Sequence, residues 1–118
     1  MTAPEEDADR WVAAVAVDVL AKRRKLKIDT DVGEIVLLWH EGRACALANI
    51  CIHRERELVN GTIFNGRIVC PGHQWAFDLE TGYCKEREET QPVHPTRIED
   101  DMVLINLSAS NIPDAQDR

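Results

Sequence analysis

No stretch of this sequence is apolar for long enough to cross a membrane as a helix. The most apolar early run, residues 11–20, is interrupted by Asp18, whereas a spanning helix needs about 20 apolar residues. Residues 1–9 are acidic and contain neither the basic segment nor the apolar segment of a secretory signal. We therefore expect a cytoplasmic protein that does not associate with membranes.

The chain also lacks an excess of basic residues. It has 14 Lys and Arg residues against 21 Asp and Glu residues, which gives a formal net charge of −7 at pH 7. A protein that binds nucleic acid is expected to carry a basic stripe, so we expect no nucleic-acid partner. The length of 118 residues suffices for one domain with a single core.

Long helical segments and internal repeats are lacking as well. Short apolar runs alternate with turn signals about every ten residues, which is typical of an all-β, antiparallel sandwich or barrel. The predicted strands cover residues 11–17, 25–29, 34–39, 43–48, 62–64, 67–69, 75–78, 83–84, 96–99 and 102–107, with a charged connection over 85–91. The Ala and Val residues of 11–17 would also suit a short helix. Residues 1–9 and 108–118 are predicted to be flexible tails.

Four potential metal ligands occur as two mixed pairs. Cys51 and His53 form the first pair, Cys70 and His73 form the second, and residues 54–69 separate them. A [2Fe–2S] cluster with thiolates on one iron and imidazoles on the other needs this set of ligands. Each pair follows a predicted strand, and strand ends are rigid anchors for a site. Two loops could therefore hold one cluster from opposite sides.

Zinc is the main alternative, because two cysteines and two histidines also form structural zinc sites. Zinc fingers usually pair cysteine with cysteine and histidine with histidine, whereas both pairs here are mixed. A zinc-stabilised binding module without a redox role therefore remains as a hypothesis of a different class.

The other cysteines and histidines are predicted to have no role in metal binding. Cys45 lies in a predicted strand and should act as a small apolar filler, and Cys84 should behave similarly. Disulfides are not expected, because no export signal is visible. His40 lies in a hairpin turn and His94 lies between two prolines.

The surroundings of the two pairs resemble the Rieske family. Residues 51–54 are similar to the first box of that family, and residues 70–78 with Thr81 and Gly82 are similar to the second. The resemblance covers about residues 10–107. It implies the Rieske fold, in which a small cluster-binding subdomain, here about residues 49–84, is formed by two loops.

The resemblance assigns a role to each ligand. Cys51 and Cys70 would bind one iron of a single [2Fe–2S] cluster, and His53 and His73 would bind the outer iron. The far edges of the two imidazoles would lie near solvent, where electrons enter and leave.

The resemblance also bears on the reduction potential. High-potential respiratory members join their ligand loops by a disulfide, and the corresponding positions here are Arg56 and Gly72. Those members also place hydroxyl groups beside the cluster, at positions occupied here by Trp75 and Phe77, which carry none. Because hydrogen bonds to the sulfurs raise the potential, we predict a value near the lower end of the Rieske range of roughly −150 to +300 mV.

The implied function is electron transfer and not catalysis. A Rieske ferredoxin would carry one electron from a flavin- or NAD(P)H-dependent reductase to a terminal oxygenase. The chain has no room for the mononuclear iron domain of the oxygenase itself. The alternative within the same fold is the small subunit of an assimilatory nitrite reductase, which often lacks some ligands, whereas all four are present here.

The two departures from the family pattern concern the surface beside the cluster. Gln74 replaces a frequent glycine after the second histidine, and a mixed-sign run follows the first. We expect the reductase and the oxygenase to dock near the edge formed by His53 and His73. The docking candidates are the charged residues Arg54, Glu55, Arg56 and Glu57.

Overall fold

The computed structural model describes residues 10–51, 56–71 and 75–108. The strands are β1 Trp11–Ala16, β2 Lys25–Thr30, β3 Gly33–His40, β4 Arg43–Ala48, β5 Thr62–Phe64, β6 Arg67–Val69, β7 Ala76–Asp78, β8 Tyr83–Cys84, β9 Glu89–Thr90, β10 Val93–His94, β11 Thr96–Glu99 and β12 Met102–Asn106. One α-helix, α1, spans Val17–Arg23, and a 3-10 turn spans Leu58–Asn60. The predicted tail 1–9, and all of the tail 108–118 except Ser108, lie outside the described residues. Within them, no helix is long and apolar enough to cross a membrane.

The described strands form three open antiparallel sheets. The terminal sheet has the order β1-β12-β11, the middle sheet β10-β4-β3-β2, and the ligand-loop sheet β5-β6-β7-β8-β9. The prediction of an all-β, antiparallel fold is confirmed. Over the described part of the chain the strands make layered sheets and do not close into a barrel.

The middle sheet is buried on both faces. Ile35 and Leu37 of β3 contribute to one core, and the alternating residues Val36 and Leu38 contribute to the other. Successive strand residues point to opposite faces, so four consecutive apolar residues identify a strand covered on both sides. The aliphatic core contains the buried residues Leu20, Ile35, Leu37, Ala46, Val103, Ile105 and Leu107. The cysteine core contains Val36, Leu38, Cys45, Leu47, Cys51, Leu58, Ile68, Cys70, Phe77, Leu79 and Cys84.

Helix α1 occupies the position where the first predicted strand was expected to end. Its first turn carries Asp18 and its last turn carries Lys22 and Arg23, an order of charges that suits the helix dipole. Leu20 is fully buried in the aliphatic core, and this tertiary contact stabilises a segment that has no side-chain N-cap. The helix ends at Arg23 and is capped by Arg24, whose φ of 72° is left-handed and whose N–H donates to the Leu20 carbonyl at 2.7 Å.

Two short strands were not predicted. The charged connection 85–91 contains β9, in which Thr90 pairs with Tyr83, and the next segment contains β10, in which Val93 pairs with Leu47. Strands of two residues have no periodicity of their own, and only their partners in the sheet define them.

Candidate metal centre

The two predicted cysteine ligands begin two loops, and each loop is closed by the same type of backbone hydrogen bond. Cys51 follows β4 after two residues, and its N–H donates to the Arg56 carbonyl at 2.9 Å. Cys70 directly follows β6, and its N–H donates to the Trp75 carbonyl at 2.8 Å. We call residues 51–56 the first ligand loop and residues 70–75 the second. Each loop is thus closed at its base by a bond that spans five residues.

The two cysteines are buried side by side. Cys51 is 2% exposed and Cys70 is 1% exposed, and neither forms a disulfide. Burial raises the pKa of the Cys70 thiol to about 12, with further increases from the hydrogen bond and the charge of Cys51, while Arg56 lowers it. A thiol with such a pKa remains protonated at neutral pH unless a metal takes the place of the proton. Adjacent buried thiols of this kind fit a thiolate-ligated metal or cluster.

Asn49 fixes the base of the first ligand loop and was missed in the sequence. Its side chain is fully buried, and its Nδ2 donates to Glu34 Oε1 at 3.1 Å and to Glu57 Oε1 at 3.2 Å. Its Oδ1 accepts the N–H of Val59 at 2.9 Å, and its carbonyl accepts the N–H of Leu58 at 2.7 Å. Because buried amides need such partners, Asn49 holds together the two chain segments that enter and leave the loop.

Glu57, one of the docking candidates, is also part of this base, and its side chain is 39% exposed. In addition to Asn49, it contacts Lys27, whose Nζ lies 3.4 Å from Glu57 Oε1 and 3.9 Å from Glu34 Oε2. The two carboxylates raise the pKa of Lys27: the charge of Glu34 is the largest single cause, followed by the charge of Glu57 and its hydrogen bond. Of the other docking candidates, Arg56 is exposed, and Arg54 and Glu55 lie outside the described residues.

Trp75 and Phe77, which follow the second cysteine, both pack with the cysteine core. Trp75 is half-buried against this core, and the guanidinium of Arg87 lies 5.0 Å from the centroid of its ring. Phe77 is fully buried and pairs with Ile68 on one side and with Cys84 on the other. The structure therefore places both of these predicted neighbours of the site in contact with the core that contains Cys51 and Cys70.

The described residues include only part of the predicted ligand set. Two predicted ligands, His53 and His73, and three predicted neighbours, Arg54, Gly72 and Gln74, lie outside the described residues.

The remaining cysteines and histidines have other surroundings. Cys45 and Cys84 are buried in the cysteine core as free thiols, which agrees with the expectation of apolar fillers. His94 Nδ1 lies 3.1 Å from the Asn106 carbonyl, and His40 Nε2 lies 3.6 Å from a carboxylate oxygen of Glu41.

Comparisons with known proteins identify the family. The model of the Rieske [2Fe-2S] domain matches residues 10–106. The ferredoxin component of the naphthalene 1,2-dioxygenase system of Pseudomonas putida is 31% identical over 101 residues, which are 84% of this chain and 97% of that protein.

Two solved structures share the fold. One is described as the complex of reduced oxygenase and oxidised ferredoxin in carbazole 1,9a-dioxygenase; its TM-score is 0.77 at 17% identity, over 86% of this chain and 95% of that chain. The other is described as an NADH-dependent nitrite reductase small subunit from Mycobacterium tuberculosis; its TM-score is 0.78 at 21% identity, over 86% of this chain and 97% of that chain. At these identities the two structures show the fold alone. With the family match over residues 10–106, and with two buried cysteines on matching loops, this chain belongs to the Rieske [2Fe-2S] domain family.

Proposed function

We propose that this protein is the one-electron carrier of an oxygenase system, a Rieske ferredoxin that accepts electrons from a flavin- or NAD(P)H-dependent reductase and delivers them to a terminal oxygenase. The observation that carries the proposal is the 31% identity to a dioxygenase ferredoxin component over 97% of the length of that protein. When bound, a [2Fe–2S] cluster takes up and releases one electron. The protein binds the cluster, excludes water from it and presents one edge of it to partners.

We assign Cys51 and Cys70 as the ligands of one iron, and His53 and His73 as the ligands of the other. The cysteines are supported by their burial, their proximity and the matching closure of their loops. The histidines are supported by their spacing from the cysteines and by the family match. Two thiolates and two neutral imidazoles make up the donor set of a Rieske centre.

The potential of this carrier should be low. Phe77 is fully buried against the core of the ligand cysteines, and its side chain has no hydrogen-bond donor. Arg56 and Gly72 occupy the positions at which respiratory members have bridging cysteines. A midpoint potential below zero is expected, and a value well above zero would contradict this part of the proposal.

Both partners should dock at the edge formed by His53 and His73. The support is the exposed Arg56 at the end of the first ligand loop, with Arg54 close to it in sequence. The protein should work in a reducing compartment, the cytoplasm, because Cys45 and Cys84, the cysteines not assigned to the cluster, form no disulfide.

The test is electron transfer between defined components. The purified protein should contain iron and labile sulfide. The reductase of the P. putida naphthalene system with NADH should reduce it, and the oxygenase of that system should reoxidise it. A colourless protein without iron would refute the electron-transfer function. Stable co-purification with a sirohaem protein would favour the nitrite reductase subunit instead.

The docking site can be tested in the same assay. Reversing two charges, with Arg54→Glu and Arg56→Glu together, should slow transfer about tenfold at low salt, because charge steering accelerates association by 10-fold or more. The matched control is Lys22→Glu with Arg23→Glu, the same charge change on exposed residues of helix α1, and it should leave the rate unchanged. Equal rates for the two variants at low salt, where screening is weakest, would place docking elsewhere.

A further inference from the structure

Gln91 is a buried amide at the start of the first ligand loop. Its side chain is fully buried, and its Nε2 donates to the Ala48 carbonyl at 2.6 Å and to the Ile50 carbonyl at 2.8 Å. Ile50 immediately precedes Cys51, so these two bonds fix the backbone from which the first ligand loop departs.

The backbone of Gln91 is bonded to the sheet that carries the second ligand loop. Its N–H donates to the Gly82 carbonyl at 2.8 Å, and Gly82 lies in the turn between β7 and β8. Strand β7 begins at Ala76, directly after the second ligand loop. On the other side of Gln91, the Pro92 carbonyl accepts the N–H of Ala48 at 2.9 Å. Gln91 therefore connects the ligand-loop sheet to the start of the first ligand loop.

The backbones of Gln91 and Gly82 lie so close together that position 82 has no room for a side chain. A Cβ atom on Gly82 would lie 2.1 Å from the Gln91 carbonyl oxygen and 2.8 Å from Val93 Cγ2. Because real Cβ contacts are not this short, a side chain at position 82 would have to displace Gln91. The connection between the two loops is thus both hydrogen-bonded and sterically constrained.

We propose that Gln91 is a positioning residue that sets the distance and orientation of the two ligand loops, and thereby the geometry of the cluster ligands. This inference rests on the proposed assignment of Cys51 and Cys70 as ligands. Gln91 acts through the backbone at Ile50 and Gly82 and not by touching the cluster. Since the two cysteines leave different sheets, their relative position depends on the residues that bond the sheets together.

The first test replaces the amide by a chain of similar length without donors, Gln91→Met. Both hydrogen bonds to the first ligand loop are lost, so the electron-resonance g-values and the midpoint potential of the holoprotein should shift. Cluster loss to a chelator should become about tenfold faster, as expected when buried hydrogen bonds are removed.

The matched control is Asn106→Leu. Asn106 is a buried amide, 4% exposed, in the terminal sheet, and its Oδ1 accepts the N–H of Ser108 at 2.9 Å. This variant should lower the melting temperature and leave the g-values and the potential unchanged. If Gln91→Met also lowers only the melting temperature, Gln91 has a structural role alone and the proposal is wrong.

A second pair tests the same link without changing Gln91. Gly82 and Gly42 share a φ of +78°, but a Cβ on Gly42 would meet nothing within 4 Å. Both alanine variants therefore strain the backbone equally, and only Gly82→Ala should move Gln91 and shift the g-values. Unshifted g-values in Gly82→Ala would contradict the positioning role. A wild-type protein without iron would instead refute the ligand assignment.

Discussion

The two cores on opposite faces of the middle sheet differ in chemistry although both contain side chains of β3 and β4. All buried members of the aliphatic core are aliphatic side chains, and they come from helix α1, the middle sheet, the terminal sheet and Leu107. The cysteine core contains all four cysteines of the chain. The buried amides Asn49 and Gln91 hold the backbone next to this core, at the start of the first ligand loop.

We infer from this difference that the aliphatic core contributes to stability alone, whereas the cysteine core also contributes to function. The aliphatic core needs only burial, which stabilises a fold without directional contacts. On the side of the cysteine core, the two ligand loops must also be held at a fixed separation if they bind one cluster. Hydrogen bonds from buried amides can do this because they are directional, whereas apolar packing is not. We infer that substitutions on the two sides of the middle sheet can reduce the free energy of unfolding equally, while only those in the cysteine core also affect the cluster.

The largest effect is expected for cysteines of the same core that differ in role. Cys70→Ala removes a proposed ligand and should abolish the cluster, whereas Cys45→Ala should retain it. Both residues are buried free thiols, so each variant removes one buried sulfur atom and the two can be compared directly. Cys45→Ala should reduce the free energy of unfolding by about 1 kcal/mol, the centre of the range for point mutants.

Iron and sulfide content, with the visible spectrum, measures the outcome for this pair. If both variants lack the cluster, or if both contain it, the division between ligand and filler cysteines is wrong.

A smaller effect, which compares the two cores more directly, is expected from alanine substitutions of two adjacent leucines of β3. Leu37 and Leu38 are both fully buried, but Leu37 faces the aliphatic core and Leu38 the cysteine core. Alanine at either position should reduce the free energy of unfolding by about 2–5 kcal/mol through the lost contacts and the cavity. Only Leu38→Ala should also release the cluster before the protein unfolds.

Chemical denaturation distinguishes the two leucine variants when far-UV circular dichroism and visible absorbance are followed together. For Leu37→Ala the two transitions should coincide, and for Leu38→Ala the visible transition should come first. Coincident transitions in both variants would mean that the two cores are not functionally separate.

Much of the fold could be predicted because its strands alternate or form continuous apolar runs. Strand β4 was predicted with its observed bounds, and β3, observed over Gly33–His40, was predicted over 34–39. Helix α1 was not predicted, because its stability depends on the burial of Leu20 against strands that are distant in sequence. Strands β9 and β10 are defined only by their partners.

A candidate ligand set could be proposed from spacing, but the residues that hold the ligand loops could not. Gln91 and Ala48 are 43 residues apart, and no local pattern indicates that they meet. Asn49 gave a weak signal as an amide within the apolar run 44–52. The contact of Glu57 with Lys27 was not predicted either, because these two residues are 30 positions apart.

The most direct test of the central claim is pulsed electron-resonance spectroscopy of the reduced wild-type protein, with and without ¹⁵N-labelled histidine. A cluster bound by Cys51, Cys70, His53 and His73 should give a low average g-value and two histidine nitrogen couplings that change on labelling. A reduced protein with no paramagnetic signal, or with a signal that contains no histidine nitrogen coupling, would contradict the account.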